Sequence, residues 1–274
     1  MRFLKNKILW LMVYAVVVTG AFLYFLFPSE LALRQMEAAS STSAFVLKAE
    51  ALRPSLPLGV KLREVIVRAA QPSADVLFQG EALDLQLNPL SLFRNSKSMY
   101  FSGTAYGGRF DGNAGFILLA KTALPVEGTV SFKDMDLARY SLQGLPIVRG
   151  MSGKVKGSLD YSAVEGTPNA SGKMSLYLTR GAYPLPEPFL GVSRIEFDRG
   201  EIQAQLKNTT VTLSKFEFYG TQVNCFLTGD IQLGSRMDDS RLNLKGALEI
   251  VGKNKIKMNV TVGGTLASPS FRYM

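Results

Sequence analysis

The sequence has no histidine and a single cysteine. Without histidine there can be no Ser-His-Asp triad and no His-ligated zinc site. With only Cys225 there can be no intrachain disulfide, no Cys-x-x-Cys redox pair and no cysteine metal cluster. Cys225 sits in VNCFLTG, where alternation groups it with Val223 and Leu227, the pattern of a small core residue rather than a reactive thiol. Acid pairs are also scarce. Met135-Asp136 and Asp238-Asp239 fall in predicted loops, and the glycines at 103, 107, 108, 150 and 153 do not open a helix after a strand. No catalytic residue, metal site or cofactor site is expected.

What the chain has is alternation. KIKMNVTVGG sets Ile256, Met258, Val260 and Val262 against Lys255, Lys257, Asn259 and Thr261, the two-residue period of a strand with one apolar face. The same period places Leu83, Leu85 and Leu87 together, and likewise Met174, Leu176 and Leu178. Turns are expected at Asn88-Pro89, Gly107-Gly108, Asp111-Gly112, Glu127-Gly128, Glu165-Gly166, Arg199-Gly200, Tyr219-Gly220, Gly229-Asp230 and Lys253-Asn254. Turns so spaced imply an antiparallel meander rather than alternating strands and helices. The Pro-rich YPLPEPF at 183–189 reads as a crossing between sub-sheets. A sheet apolar on one side must cover that side, as a sandwich, a barrel or a curved groove; the packed sandwich is the expected default.

One long apolar run precedes the strands. Residues 8–27, ILWLMVYAVVVTGAFLYFLF, carry no charge and match the length of a membrane-spanning helix. Arg2, Lys5 and Lys7 precede it, so the positive-inside bias puts residues 1–7 in the cytoplasm and the bulk of the chain across the membrane. A cleaved signal peptide is the competing reading, but its apolar core is normally shorter. After Pro28, SELALRQMEAAS reads as a short connector helix over about 29–41, with Leu31, Leu33 and Met36 as its apolar stripe, and residues 44–274 as an exported β-rich domain.

The 31 Lys and Arg outnumber the 22 Asp and Glu, for a net charge of +9. In an exported chain this suits lipid phosphates or acidic protein surfaces, and nucleic acid is not an expected partner. The excess is concentrated late in the chain, where Arg241, Lys245, Lys253, Lys255 and Lys257 form a possible basic contact face opposed by Glu249.

The ending GGTLASPSF after an alternating strand resembles the close of AsmA-like domains, and LDLQLNPLSLF at 83–93 resembles their strand and Leu-rich turn. The feature order is a single anchor, a short helix, SLPLGVKLREVIVRA, AYGGRFDGNAGF and SGKVKGSLDYS. In that order and in length, the chain resembles the protein N family of the type II secretion system. The resemblance implies an inner-membrane-anchored periplasmic protein of that apparatus, with other secretion subunits as partners. Through the AsmA-like relatives it also implies a curved sheet whose apolar groove binds or transfers phospholipid. Leu83, Leu85, Leu87, Met174, Leu176, Leu178, Ile256, Met258 and Val260 are then the expected groove lining.

Overall fold

The computed structural model describes residues 7–40, 45–56, 58–69, 76–93, 96–117, 125–141, 150–163, 169–189, 192–234, 239–251 and 256–273. Helix α1 (Lys7–Phe25) and helix α2 (Ser29–Ser40) lead into the strands β1 (Phe45–Lys48), β2 (Ala51–Ser55), β3 (Gly59–Ala69) and β4 (Val76–Leu87). A 3-10 turn at Pro89–Phe93 precedes β5 (Ser96–Ala105), β6 (Gly108–Ile117) and β7 (Glu127–Asp136). The short helix α3 (Leu137–Ser141) precedes β8 (Ser152–Ala163), β9 (Ala170–Phe189), β10 (Val192–Lys207) and β11 (Thr210–Tyr219). The series closes with β12 (Val223–Gln232), β13 (Arg241–Ile250), β14 (Ile256–Gly264) and β15 (Pro269–Tyr273).

These fifteen strands form one open antiparallel sheet in which each strand from β3 onward pairs with the next, while β1 and β2 share the outer edge of β3. The meander is as expected, but the sandwich is not: no second sheet packs on the first among the described residues. The accessible surface reflects this. It is 18460 Å², against about 11,700 Å² for a compact protein of this mass. The naked helix α1 and the single-layer sheet both contribute to the excess.

Three of the expected turns are real. Tyr106 and Gly107 (φ 54° and 73°) make the two-residue β5–β6 hairpin, both left-handed as a type I′ turn requires. Asn88 opens the 3-10 turn, and Gly220 follows β11. Gly112, Gly128, Gly200 and Gly229 instead lie inside strands, and 165–166 and 253–254 fall outside the described residues. Two of these misread glycines have a packing reason. A Cβ on Gly200 would stand 2.6 Å from the Phe218 ring, and one on Gly112 would stand 2.6 Å from the Phe101 ring. The glycines make room for a phenyl ring from the neighbouring strand, a cross-strand device that mimics a turn signal in one dimension.

The segment 183–189 is not a crossing either, because it stays within β9 beside β10, with Pro184 opposite Arg194 and Phe189 opposite Val192 and a register irregularity between them. The reason lies in which edge each N–H faces. The N–H of Ala182 points toward β8 and donates to Ser152 Oγ at 3.2 Å. Pro184, two residues on, therefore drops its donor on the same side, where β8 has already ended at Ser152. The proline therefore costs no ladder bond to β8.

Helix α2 lies against the first strands. Ala32, Leu33 and Met36 pack with Leu52, Leu62 and Val65, whereas Leu31 turns out to solvent at 60 % exposure. The amide of Ala49 donates to Glu37 Oε1 at 3.4 Å and ties the helix to the β1–β2 link. Helix α1 extends over 19 residues with Leu11, Met12, Tyr14, Val17, Phe22 and Phe25 all exposed. Among residues whose side chains are described, which leaves out positions 7–9, 16 and 23 of α1, no helix is long and apolar enough to cross a membrane.

Candidate functional site

Directly paired residues of antiparallel strands share a face, so the register shows which side chains lie together. One row of partners runs from β2 to β15: Leu52, Leu62, Leu83, Gly103, Phe110, Phe132, Gly157, Leu176, Ile202, Phe216, Leu227, Gly246, Val260 and Tyr273. It contains no charge. The next row on the same face carries Leu85, Phe101, Gly112, Val130, Leu159 and Met174, and continues through Ala204, Leu213, Gly229, Leu244, Val262 and Phe271. A row of the opposite face runs Arg53, Lys61, Asp84, Ser102, Asp111, Ser131, Ser158, Ser175, Gln203 and Lys215, polar throughout.

The nine residues expected to line a groove stand on the apolar side of the sheet. Leu83, Leu176 and Val260 stand in the first row, Leu85 and Met174 in the second. Leu178 and Met258 belong to a third row with Gly200, Phe218, Cys225 and Leu248. Leu87 pairs with Met99, and Ile256 with Ile250. Exposure separates them: Leu178 and Val260 are buried at 3 % and 4 %, while Leu87 and Ile256 stand open at 43 % and 50 %.

One bulge lies between the two rows, at Ser214 of β11, where Leu213 and Phe216 stand three residues apart, and others lie beyond them. Glu64, Asp134 and Arg180 adopt left-handed φ values of 47°, 57° and 46° within β3, β7 and β9. At Asp134 and Arg180 the chain takes an extra step that returns Met135 and Gly181 to the apolar side, where Met135 pairs with Val155 and Gly181 with Phe197. The alternation of the sequence does not reveal these charged bulges, because a charged residue in phase simply reads as the polar face.

At about 4.8 Å per strand, the path from β1 to β15 makes the apolar face about 60 Å wide. Its side chains form two clusters beyond the part that α2 covers. One holds Val155, Leu178, Phe197 and Phe218, and the other holds Ala204, Leu213, Leu244, Val260 and Val262. Cys225 packs against the first cluster, and burial pushes its thiol up to about 12, so it is a neutral packing group at physiological pH. Among the described residues no three His, Cys, Asp or Glu side chains converge as metal ligands.

The basic residues fall on the polar side. Arg241 pairs with Gln232, Lys245 with Thr228 and Thr261, and Lys257 with Glu249, whose carboxylate it meets at 3.2 Å. Lys253 and Lys255 lie outside the described residues. Sequence alternation gave no warning of the outer-face network on β10 and β11. There Lys215 Nζ reaches Glu201 Oε2 at 2.7 Å and Glu217 Oε2 at 3.5 Å, Tyr219 donates its hydroxyl to Glu217, and Arg199 stacks 4.2 Å from the Tyr219 ring. The hydrogen bond from Lys215 holds Glu201 below the usual carboxylate range and raises Lys215 in turn. These cross-strand pairs fasten the polar side.

No family model, curated protein or solved structure matches this chain. The GGTLASPSF ending, on which the AsmA-like resemblance leans, forms the β14–β15 turn. Gly264 is left-handed (φ 81°), and Thr265 and Ser268 close the turn through backbone bonds in both directions.

Proposed function

We propose that this chain is a non-enzymatic, membrane-tethered protein of the bacterial envelope that binds the acyl chains of phospholipid on its open apolar sheet face. One observation carries the reading: uncharged rows of side chains cross the whole sheet, and among the described elements only α2, at one end, and Leu137 of the short α3 pack against them. Burying such a face is worth about 25 cal/mol per Å², so an uncovered face of this width favours an apolar occupant. Acyl chains suit it because it is long, continuous and without specific polar groups. The tether is α1. Its exposed apolar side chains and 19 residues, about 28 Å of helix, favour a single span, and Arg2, Lys5 and Lys7 before it favour the strands on the periplasmic side.

The experiment is mass spectrometry of organic extracts from the purified full chain, with Leu176→Asp and Met258→Asp as variants. Co-purified phospholipid that both substitutions deplete is the expected result. A wild-type protein free of acyl chains, or variants that retain them, overturns the reading.

A second reading is a structural subunit of the type II secretion system at the inner membrane. The order of anchor, short helix, strands and GGTLASPSF turn favours it. The two are compatible, because a subunit can hold lipid. Unimpaired export of folded proteins in a clean deletion strain overturns this second reading alone.

A further inference from the structure

Seven leucines beyond α1 are exposed among the described residues, and five of them stand at one corner of the molecule. Leu31, Leu56, Leu58, Leu87 and Leu90 are 43 % to 73 % exposed, and only Leu77 and Leu159 lie elsewhere. Leu56 and Leu58 belong to the β2–β3 turn. The carbonyl of Leu58 accepts the N–H of Leu87 at 2.9 Å, where β4 ends, and Leu90 follows in the 3-10 turn. Single leucines on a surface need no explanation, but a contiguous patch does.

The joint between α1 and α2 comes to this same corner. Glu37, late in α2, is tied to Ala49 just before β2. Only residues 41–44 separate α2 from β1, which begins at the opposite end of β3 with Phe45 against Ala69. So short a link makes α2 run away from the β2–β3 turn, and its first turn, with Leu31, lies toward it. Phe27, at the joint, packs into the Leu52, Leu62 and Val65 cluster, as do Val60 and Leu85, the pair beside that turn. Farther along the same rim the chain is polar. The β10–β11 turn carries Lys207, Asn208 and Thr209, and β12 ends at Gln232. The exposed leucines are thus confined to the place where α1 leaves the sheet.

We propose that this corner is a second membrane contact, at which the leucines of the β2–β3 and β4–β5 turns and of α2 enter the bilayer that α1 spans. Three residues, 26–28, join α1 to α2, so a spanning α1 holds the first turn of α2 within about 14 Å of its own end. At that distance an apolar patch meets the boundary of headgroups and acyl chains, where such surfaces bury to a depth of about 5–10 Å. A bilayer also asks for no matching shape and no polar contact, and the five leucines offer none. The inference rests on α1 as the tether and adds that the sheet itself touches the same membrane, which fixes its tilt.

The test is spin labelling of the full chain in vesicles of dioleoyl-phosphatidylethanolamine and dioleoyl-phosphatidylglycerol. Nitroxides are attached through Leu56→Cys, Leu90→Cys, Val17→Cys in α1 and Lys207→Cys at the polar turn, all exposed positions whose replacement leaves the packing intact. The wild-type chain, whose Cys225 packs against the Phe218 cluster, measures background labelling. Collision with oxygen, which partitions into lipid, is compared with collision with a water-soluble nickel chelate. Labels at 56 and 90 should lose access to the chelate and keep access to oxygen, as the label at 17 does, while the label at 207 stays open to the chelate. Chelate access at 56 and 90 equal to that at 207, with 17 still shielded, overturns the second contact and leaves the tether standing. Chelate access at 17 as well overturns both. Labels at 56 and 90 shielded from oxygen and chelate alike mark a protein contact, a second copy of the chain included, and also overturn the proposal.

Discussion

The two ends of the apolar face have the same side-chain chemistry and different fates. At the β2–β4 end, α2 lies over the sheet, and Leu62 and Val65 are 1 % and 0 % exposed. At the β14–β15 end no described element lies over the rows: Val260 and Val262 of β14 are 4 % and 5 % exposed, packed by their sheet neighbours, whereas Phe271 and Tyr273 on the edge strand are 52 % and 45 % exposed. Alternation makes a face apolar; strands on both sides can bury a side chain on it, and a residue on the last strand lacks that second neighbour. Among the described elements, α2 lies at the end nearest α1, and apart from the short α3 none packs over the rest of the sheet width.

Identical substitutions at the two kinds of site are the sharpest way to break that comparison. Leu62→Ala removes packing under α2 and should cost about 2–5 kcal/mol in urea denaturation of the full chain in detergent. Leu159→Ala, on the same face but 41 % exposed, should cost less than about 1 kcal/mol. Equal costs would mean that the β8 region is covered as fully as β3, and the open face would be lost with it.

A smaller effect tests how the uncovered strands pack among themselves. Gly200 lies beneath the Phe218 ring, so Gly200→Ala must push that ring aside, at about 1–3 kcal/mol. Phe218→Leu in the same chain should recover part of the loss, because the shorter side chain leaves room for the added methyl. If the double variant is no more stable than the sum of the single effects implies, the pairing of ring and glycine is incidental.

Much of this was legible in one dimension. The two-residue period of LDLQL, KMSLYL and KIKMNVTV assigns side chains to faces without reference to distant contacts, and the registers place all nine on one side. Four features were not legible. Glycines beneath rings look like turns, because the partner ring lies on another strand. Left-handed bulges at charged residues hide inside a polar phase. Whether the face closes into a sandwich depends on whether a second sheet exists to meet it, which local pattern does not encode. The Tyr106-Gly107 hairpin could be found because its signal is local, whereas the leucine corner, assembled from α2, the β2–β3 turn and the turn after β4, left no trace in the sequence.

The weakest expected effect compares two buried acids, one in each half of the sheet. Burial raises the Tyr106 hydroxyl from 10.0 to about 12, although the Gln79 N–H that donates to it at 2.7 Å pulls the other way. Burial alone raises the Cys225 thiol from 9.0 to about 12. Each group keeps its proton in the folded chain at pH values where the unfolded chain has released it. Their contribution to stability is therefore complete below pH 9, and it is lost as pH climbs through 9 for Cys225 and 10 for Tyr106 toward 12. Urea midpoints measured from pH 8 to pH 11 should fall, and Cys225→Ala should flatten the portion that begins near pH 9. Tyr106→Phe should flatten only the later portion, at the cost of orphaning the Gln79 amide. If Cys225 faced open solvent instead of the Phe218 cluster, its substitution would leave the alkaline slope untouched, and the third apolar row would lose its central member.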